Sequence, residues 1–246
     1  MYFLLTGEGS TDIGYSDENP GILLSALTTL AAEVTDEDFR NSYYIVSRVD
    51  LSTLCRDIPN TPKSMLSRGA KKKYDGMNAI QRQAQALGKM AKEMDDSGAV
   101  FFHDCDYTHS QASDPQDYYE ELVRTIETGF YLNDKYRDGV AMIPKPRSES
   151  WLLAHYQDTP YQSSERFEKL PGNDASPNSG KKVLAQFLKC QEKDIYNHVN
   201  AAKIDWCRID CPSFIFFKKR FQHVVQRLTH QPTTIPENET LLSAYK

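Results

Sequence analysis

Three acidic residues stand where strand-like runs give way to loops. Glu8 follows the apolar run Tyr2 to Thr6, and Asp104 and Asp106 follow Gly98-Ala99-Val100-Phe101-Phe102. Two aspartates at i,i+2 just beyond a strand can face one ion because the chain is already turning there. A glutamate at the end of a neighbouring strand can then supply a third carboxylate. Mg²⁺ takes hard oxygen ligands, keeps several waters, and binds through one or two carboxylates together with substrate phosphates. Such a group would carry metal-assisted attack on a phosphate ester. A second Asp-x-Asp, Asp36-Glu37-Asp38, has no strand before it and reads as a solvated acidic linker.

Around this triad lie residues that could meet an anion. Lys145 and Arg147 follow the run Val140 to Ile143, and Lys181 and Lys182 open a helical stretch after a glycine. The exposed N–H groups of a helix start favour a phosphate. Lys63, Arg68, Lys71, Lys72 and Lys73 form a basic stretch, expected to contact nucleic-acid phosphates or a partner rather than to do chemistry. His103 precedes the aspartate pair. The chain has no HExxH zinc motif, and Gly7-Glu8-Gly9 is not followed by the Lys-Ser or Lys-Thr of a P-loop.

The elements that must position these residues alternate. Strand-like runs at 2–6, 43–46, 98–102 and 140–143 are separated by helical stretches. Asn19-Pro20-Gly21 opens a helix carrying Ile22, Leu23, Ala26, Leu27 and Leu30. Proline suits a first helical turn because its missing N–H has no partner there. Ile80, Ala84, Leu87, Ala91 and Met94 recur at helical spacing, as do Tyr119, Leu122, Val123 and Ile126. A further helix starts at Ser148, a candidate N-cap, whereas residues 56–76 lack any sustained period. This alternation predicts an α/β core over 1–156 with a largely parallel sheet flanked by helices. Residues 157–246 read as a helical C-terminal subdomain and tail, with helical stretches at 180–190, 192–203 and 211–229.

Composition narrows the class. The chain has 246 residues and is 39% hydrophobic and 26% charged, which excludes collagen, coiled coil and wholesale disorder. No apolar run approaches the ~20 residues of a membrane-spanning helix, so no membrane is expected. The N-terminus lacks the basic flank of a signal peptide. Its five cysteines contain no CxxC and are expected to be reduced, mostly buried thiols, which places the protein in the cytoplasm. A net charge of -5 argues against a generic nucleic-acid coat while leaving room for a local basic surface.

Strand–Glu8-Gly9-Ser10-Thr11-Asp12, followed two strand–helix units later by strand–Asp104-Cys105-Asp106, resembles the Toprim fold of type IA topoisomerases, DnaG-type primases and overcoming-lysogenization-defect nucleases. The stretch Pro144-Lys145-Pro146-Arg147-Ser148-Glu149-Ser150-Trp151-Leu152-Leu153-Ala154 and the later Cys211-Pro212-Ser213-Phe214 are similar, more narrowly, to the small stand-alone Toprim-related proteins of the DUF4276 group. The resemblance implies a Toprim-like (Rossmannoid) core and a Mg²⁺-dependent nuclease, with Mn²⁺ able to substitute. In it Glu8, Asp104 and Asp106 are catalytic and, with Glu149, hold metal, while Asp12, Lys145 and Arg147 orient the ligands or meet substrate. It further implies a nucleic-acid substrate, DNA or RNA including tRNA, and a prokaryotic anti-phage setting beside an ABC-type ATPase. Two other readings remain. Asp104-Cys105-Asp106-Tyr107-Thr108 fits the Asp-x-Asp-x-Thr nucleophile motif of haloacid-dehalogenase-type phosphatases, in which Asp104 would be phosphorylated. A non-catalytic Toprim module regulating a partner ATPase is the other.

Overall fold

The computed structural model describes residues 1–8, 12–16, 19–58, 77–106 and 114–234. The basic stretch from Lys63 to Lys73, including Lys71, Lys72 and Lys73, lies outside the described residues, as do Tyr107 and Thr108.

The run Tyr2–Gly7 forms β1, and after it Gly14–Ser16 (β2) and Asn19–Pro20 (β3) pair as a short antiparallel hairpin. That hairpin has too few residues to show an alternating pattern, and Asn19-Pro20, expected to open the helix, forms its second strand, while the helix starts at Ile22 with Gly21 as its N-cap. Then come α1 (Ile22–Ala32), β4 (Tyr43–Ile45), α2 (Arg48–Leu54), α3 (Met77–Lys92) and β5 (Ser97–Phe102). They are followed by α4 (Pro115–Tyr131), β6 (Gly139–Met142) and α5 (Ser148–Tyr156). Four strands make one all-parallel sheet in the order β4-β1-β5-β6, flanked by helices, a Rossmann-like α/β arrangement. The chain moves from β1 to β4 on one side and returns to β5 on the other. The order therefore reverses between β1 and β5, and a crevice opens there at the strand carboxyl ends.

Period-two alternation decides which face each strand residue covers. Phe3, Leu5, Val100, Phe102, Val140 and Met142 enter one core with α1, α5 and α8 (Pro212–Leu228). Leu4, Ala99, Phe101 and Ala141 enter the other, with α3 and α4. Both faces are covered, as an all-parallel sheet requires.

Residues beyond 157 contribute α6 (Gly180–Leu188), α7 (Ile195–His198) and α8. Between 192 and 203 the sequence predicts one helix. Instead α7 sits between single 3-10 turns, with Val199 extended, because Ile195 is the sole residue of α7 buried and offers no stripe to hold a longer helix. In α8, by contrast, Phe214, Phe217 and Phe221 lie on one face and join the sheet's core. Phe221 meets Phe3 with ring centroids 5.3 Å apart. Trp151 stacks on Phe217 at 5.7 Å and donates its indole N–H to Ser213 at 2.9 Å. Burying each such ring contributes roughly 2 kcal/mol. Arg220 donates to the Gly139 and Arg137 carbonyl oxygens, covering backbone acceptors at the edge strand β6 that would otherwise invite another strand.

Candidate functional site

The acidic residues of interest stand at the carboxyl ends of β1 and β5, on either side of the switch point. Beyond β5 the chain keeps a strand-like register for three more residues. His103 donates its N–H to Met142, and Cys105 donates to Pro144. Cys105 consequently falls into the core beneath α3 and α4, and burial pushes its thiol up to about 12. Asp104, one residue out of step, goes to the opposite side.

There Asp104 meets the start of α5. The N-cap of this helix is Arg147, in extended conformation with no side-chain cap bond, rather than Ser148, which is the first helical residue. The cap comes from across the fold. The Ser148 N–H donates to Asp104 Oδ1 at 3.2 Å, satisfying one of the orphan donors of a helix start. Glu149 follows in the first turn, 5% exposed, where the positive end of the helix favours an acid. Asp12, 5% exposed, is presented from the turn just before β2. Its carbonyl oxygen accepts the Leu23 N–H at 2.9 Å, and Gly21 packs flat against that backbone. A Cβ on Gly21 would lie 2.2 Å from the Asp12 carbonyl oxygen, so only glycine lets the helix start approach this closely.

The result is a crowd of acids. Burial drives Asp104 up to about 9, and the charges of Asp12, Glu149 and Asp106 push it the same way while Arg147 opposes them. Glu149 is raised chiefly by burial, and Arg147 and Lys181 hold it back. Asp106 is also raised by burial first. The Arg147 guanidinium counters that, and Glu8 and Asp174 add to it. Arg147 grips Asp106 with two contacts, Nε to Oδ1 at 2.5 Å and Nη2 to Oδ2 at 3.1 Å, and its Nη1 reaches Asp174 at 2.9 Å.

Glu8 stands apart from this group. It shares its side of the strand ends with His103, whose Nε2 lies 3.5 Å from Glu8 Oε1. His103 Nδ1 is 2.7 Å from the Asp104 carbonyl oxygen, which can only accept, so Nδ1 carries the proton. A small cleft lined by Gly7, Glu8, Leu51, Gln83, Phe101 and His103 opens beside them, toward α2 and α3. Asp106 lies between the two groups, within electrostatic reach of both Asp104 and Glu8. Lys145 is turned elsewhere, with Nζ 2.5 Å from Gln116 Oε1 and 5.8 Å from the Tyr119 ring centroid.

Two site residues have no sequence signal. Asp174 sits in a polar loop where an Asn-Asp pair reads as ordinary turn chemistry. The Tyr196 hydroxyl approaches Glu149 Oε1 at 3.4 Å from α7. Both come from the segment after 157, as does Lys181. The donor set is all oxygen and strongly anionic, the chemistry a hard divalent cation takes, so the residues fit Mg²⁺ in type and charge. Among the described residues, no three acidic, His or Cys side chains close into one metal-holding group. The cation on Asp106 here is Arg147. No helix among the described residues is long and apolar enough to cross a membrane. Comparison of the chain with protein-family models, curated proteins and solved structures finds no match.

Proposed function

We propose that the chain is a Toprim-like, Mg²⁺-dependent nuclease acting on phosphodiesters of DNA or RNA, including tRNA, and working beside an ABC-type ATPase in a prokaryotic defence system. One observation carries the chemical part of this reading. Acids gather at the β1/β5 switch point, where burial first, and then the charges of Asp12, Glu149 and Asp106, drive Asp104 up to about 9, with the Arg147 guanidinium set among them. Fold alone would not license an activity; this concentration of acids supports one. The family and the ATPase partner rest on the motif resemblance.

Asp104, Asp106 and Glu149 would hold the ion, with Glu8 entering from the neighbouring strand end. When bound, Mg²⁺ supplies polarisation of the scissile phosphate and activation of water. The other roles belong to the chain's own groups. The Ser148 N–H fixes Asp104 against the helix start. Arg147 and Lys181 bring positive charge beside the acids, where phosphate oxygens would otherwise be repelled. Glu8, its side chain 39% exposed, is open to substrate, and His103 orients it through a ring anchored on the Asp104 carbonyl.

The test is cleavage of plasmid DNA, linear DNA and tRNA by the full chain in Mg²⁺ or Mn²⁺, with and without the ATPase encoded alongside. Asp104→Asn, Asp106→Asn and Glu8→Gln should each lose cleavage. A Glu8→Gln variant that keeps turnover of a simple phosphomonoester, with phosphate covalently on Asp104, would overturn the nuclease reading in favour of a phosphatase. Complex formation with the ATPase without cleavage would overturn it in favour of a binding module.

A further inference from the structure

Arg147 engages both oxygens of Asp106, through Nε at 2.5 Å and Nη2 at 3.1 Å, and spends its remaining nitrogen on Asp174. A carboxylate gripped on both oxygens by a guanidinium fork has little left to offer a metal ion. Lys181 is the other cation felt by this group, and it bears on Glu149 rather than on Asp106. If Asp106 is a metal ligand, the fork must leave it first. The structure offers somewhere for it to stay. Asp174, its side chain 47% exposed, holds Nη1 from the loop before α6, so the guanidinium can let go of Asp106 and remain tethered at the site's edge.

We propose that Arg147 is the resident counter-ion of this acidic crevice and competes with the divalent cation for Asp106, swinging onto Asp174 and toward substrate phosphate when the ion binds. The inference rests on the metal-site reading above and adds a role for one residue within it. It follows that the site holds metal weakly until substrate supplies an alternative anion for the released fork. Lysine could not do the same, because an ammonium is a point charge without the planar fork that occupies both carboxylate oxygens.

The experiment measures Mn²⁺ binding alone, by loss of the free-ion electron paramagnetic resonance signal, to the full chain stripped with chelator. The proteins compared are wild type, Arg147→Met, Arg147→Lys and Asp104→Asn. Losing a charge-assisted, two-contact pair should let Arg147→Met bind Mn²⁺ about ten- to a hundredfold tighter than wild type. Arg147→Lys should fall between them, keeping the charge and losing the fork. Asp104→Asn should lose most of the binding. If wild type binds and Asp104→Asn does not, yet Arg147→Met binds no tighter or Arg147→Lys matches wild type, the counter-ion role is overturned and the metal site stands. If Asp104→Asn binds as well as wild type, the metal-site reading fails and takes this proposal with it. Should Arg147→Met fail to fold, Arg147→Lys carries the comparison by the same criterion.

Discussion

Replacing Asp104 with asparagine should make the metal-free protein more stable at neutral pH, an unusual outcome for a candidate catalytic residue. Asp104 is held at about 9 against an ordinary 3.8, by burial and by Asp12, Glu149 and Asp106. A folded-state value raised above the unfolded one means that folding takes up a proton. The resulting penalty is absent below pH 3.8, grows as pH rises, and is complete above about 9. At pH 7 the interval from 3.8 costs about 4 kcal/mol at about 1.36 kcal/mol per pH unit. Asparagine removes the titration and keeps the oxygen that accepts the Ser148 N–H, so the cap on α5 survives. For a chain of this size about 4 kcal/mol corresponds to a melting-temperature rise of about 8 °C or more. Thermal denaturation followed by circular dichroism in chelator, from pH 4 to 9, reads this directly. The two proteins should converge near pH 4 and separate steadily above it. Equal melting temperatures at pH 7, or a lower one for the variant, would refute the claim that Asp104 is buried among like charges. Added Mn²⁺ should then raise wild type more than the variant.

Glu127 gives an independent test of buried charge away from the site. Both of its carboxylate oxygens are buried with no hydrogen-bond partner among the described residues, and burial raises it to about 7 despite Arg220. Glu127 should therefore add a loss of up to about 3 kcal/mol between pH 4.5 and 7 to the one from Asp104, and Glu127→Gln should remove that part of the slope alone; urea titrations of both proteins at pH 5 and 8 measure the difference. Gly139→Ala should destabilise by about 1–3 kcal/mol, because its Cβ would lie 2.2 Å from the Phe130 ring. Gly180→Ala, whose Cβ would meet Glu149 only at 3.5 Å, should leave the urea midpoint nearly unchanged. A chain cut after residue 156 should bind a hydrophobic dye and unfold without a cooperative transition, since α8 supplies Phe217 and Phe221 to the core around Trp151 and Phe3. Cooperative unfolding of that fragment would show that α8 is dispensable.

The four sheet strands were legible because each is a short apolar run stopped by a polar residue, glycine or proline (Gly7, Ser47, His103 and Pro144), and the helices facing them carry clean helical spacing. Asp104 and Asp106 were visible for the same reason, as acids set where a buried strand stops. What sequence hid is long-range. The partnership of Arg147 with Asp106 spans 41 positions, and its second contact, Asp174, comes from a loop whose composition announces only a turn. The segment 192–203 misleads because its helix-tolerant residues fully bury only Ile195 and so present no continuous stripe to the core. Alternation along β1 does carry one clue about the site. Leu4 faces α3 and α4, so two steps of two residues put Glu8 on that same side, whereas Phe102 and Asp104 go to the other.

That division gives the crevice its polarity. Asp104, Asp12 and Glu149 sit on the α1/α5 side, buried and facing the start of a helix, where they could anchor an ion but are poorly placed to exchange protons with solvent. Glu8 and His103 sit on the α2/α3 side beside a small open cleft, where proton exchange is possible. Asp106 is half-exposed between them, its side chain 45% accessible, and is the carboxylate whose partner can change without disturbing a helix cap. Asp104 cannot move without uncapping α5, and Glu149 is fixed within it. Solvent therefore meets the adjustable group first, through the pair Asp106 and Arg147. The segment after 157 completes this arrangement: it supplies Asp174 to the guanidinium and Lys181 and Tyr196 to Glu149, while α8 packs the same residues' helix, α5, onto the sheet. The acidic crevice is thus a product of the whole chain rather than of its α/β half alone.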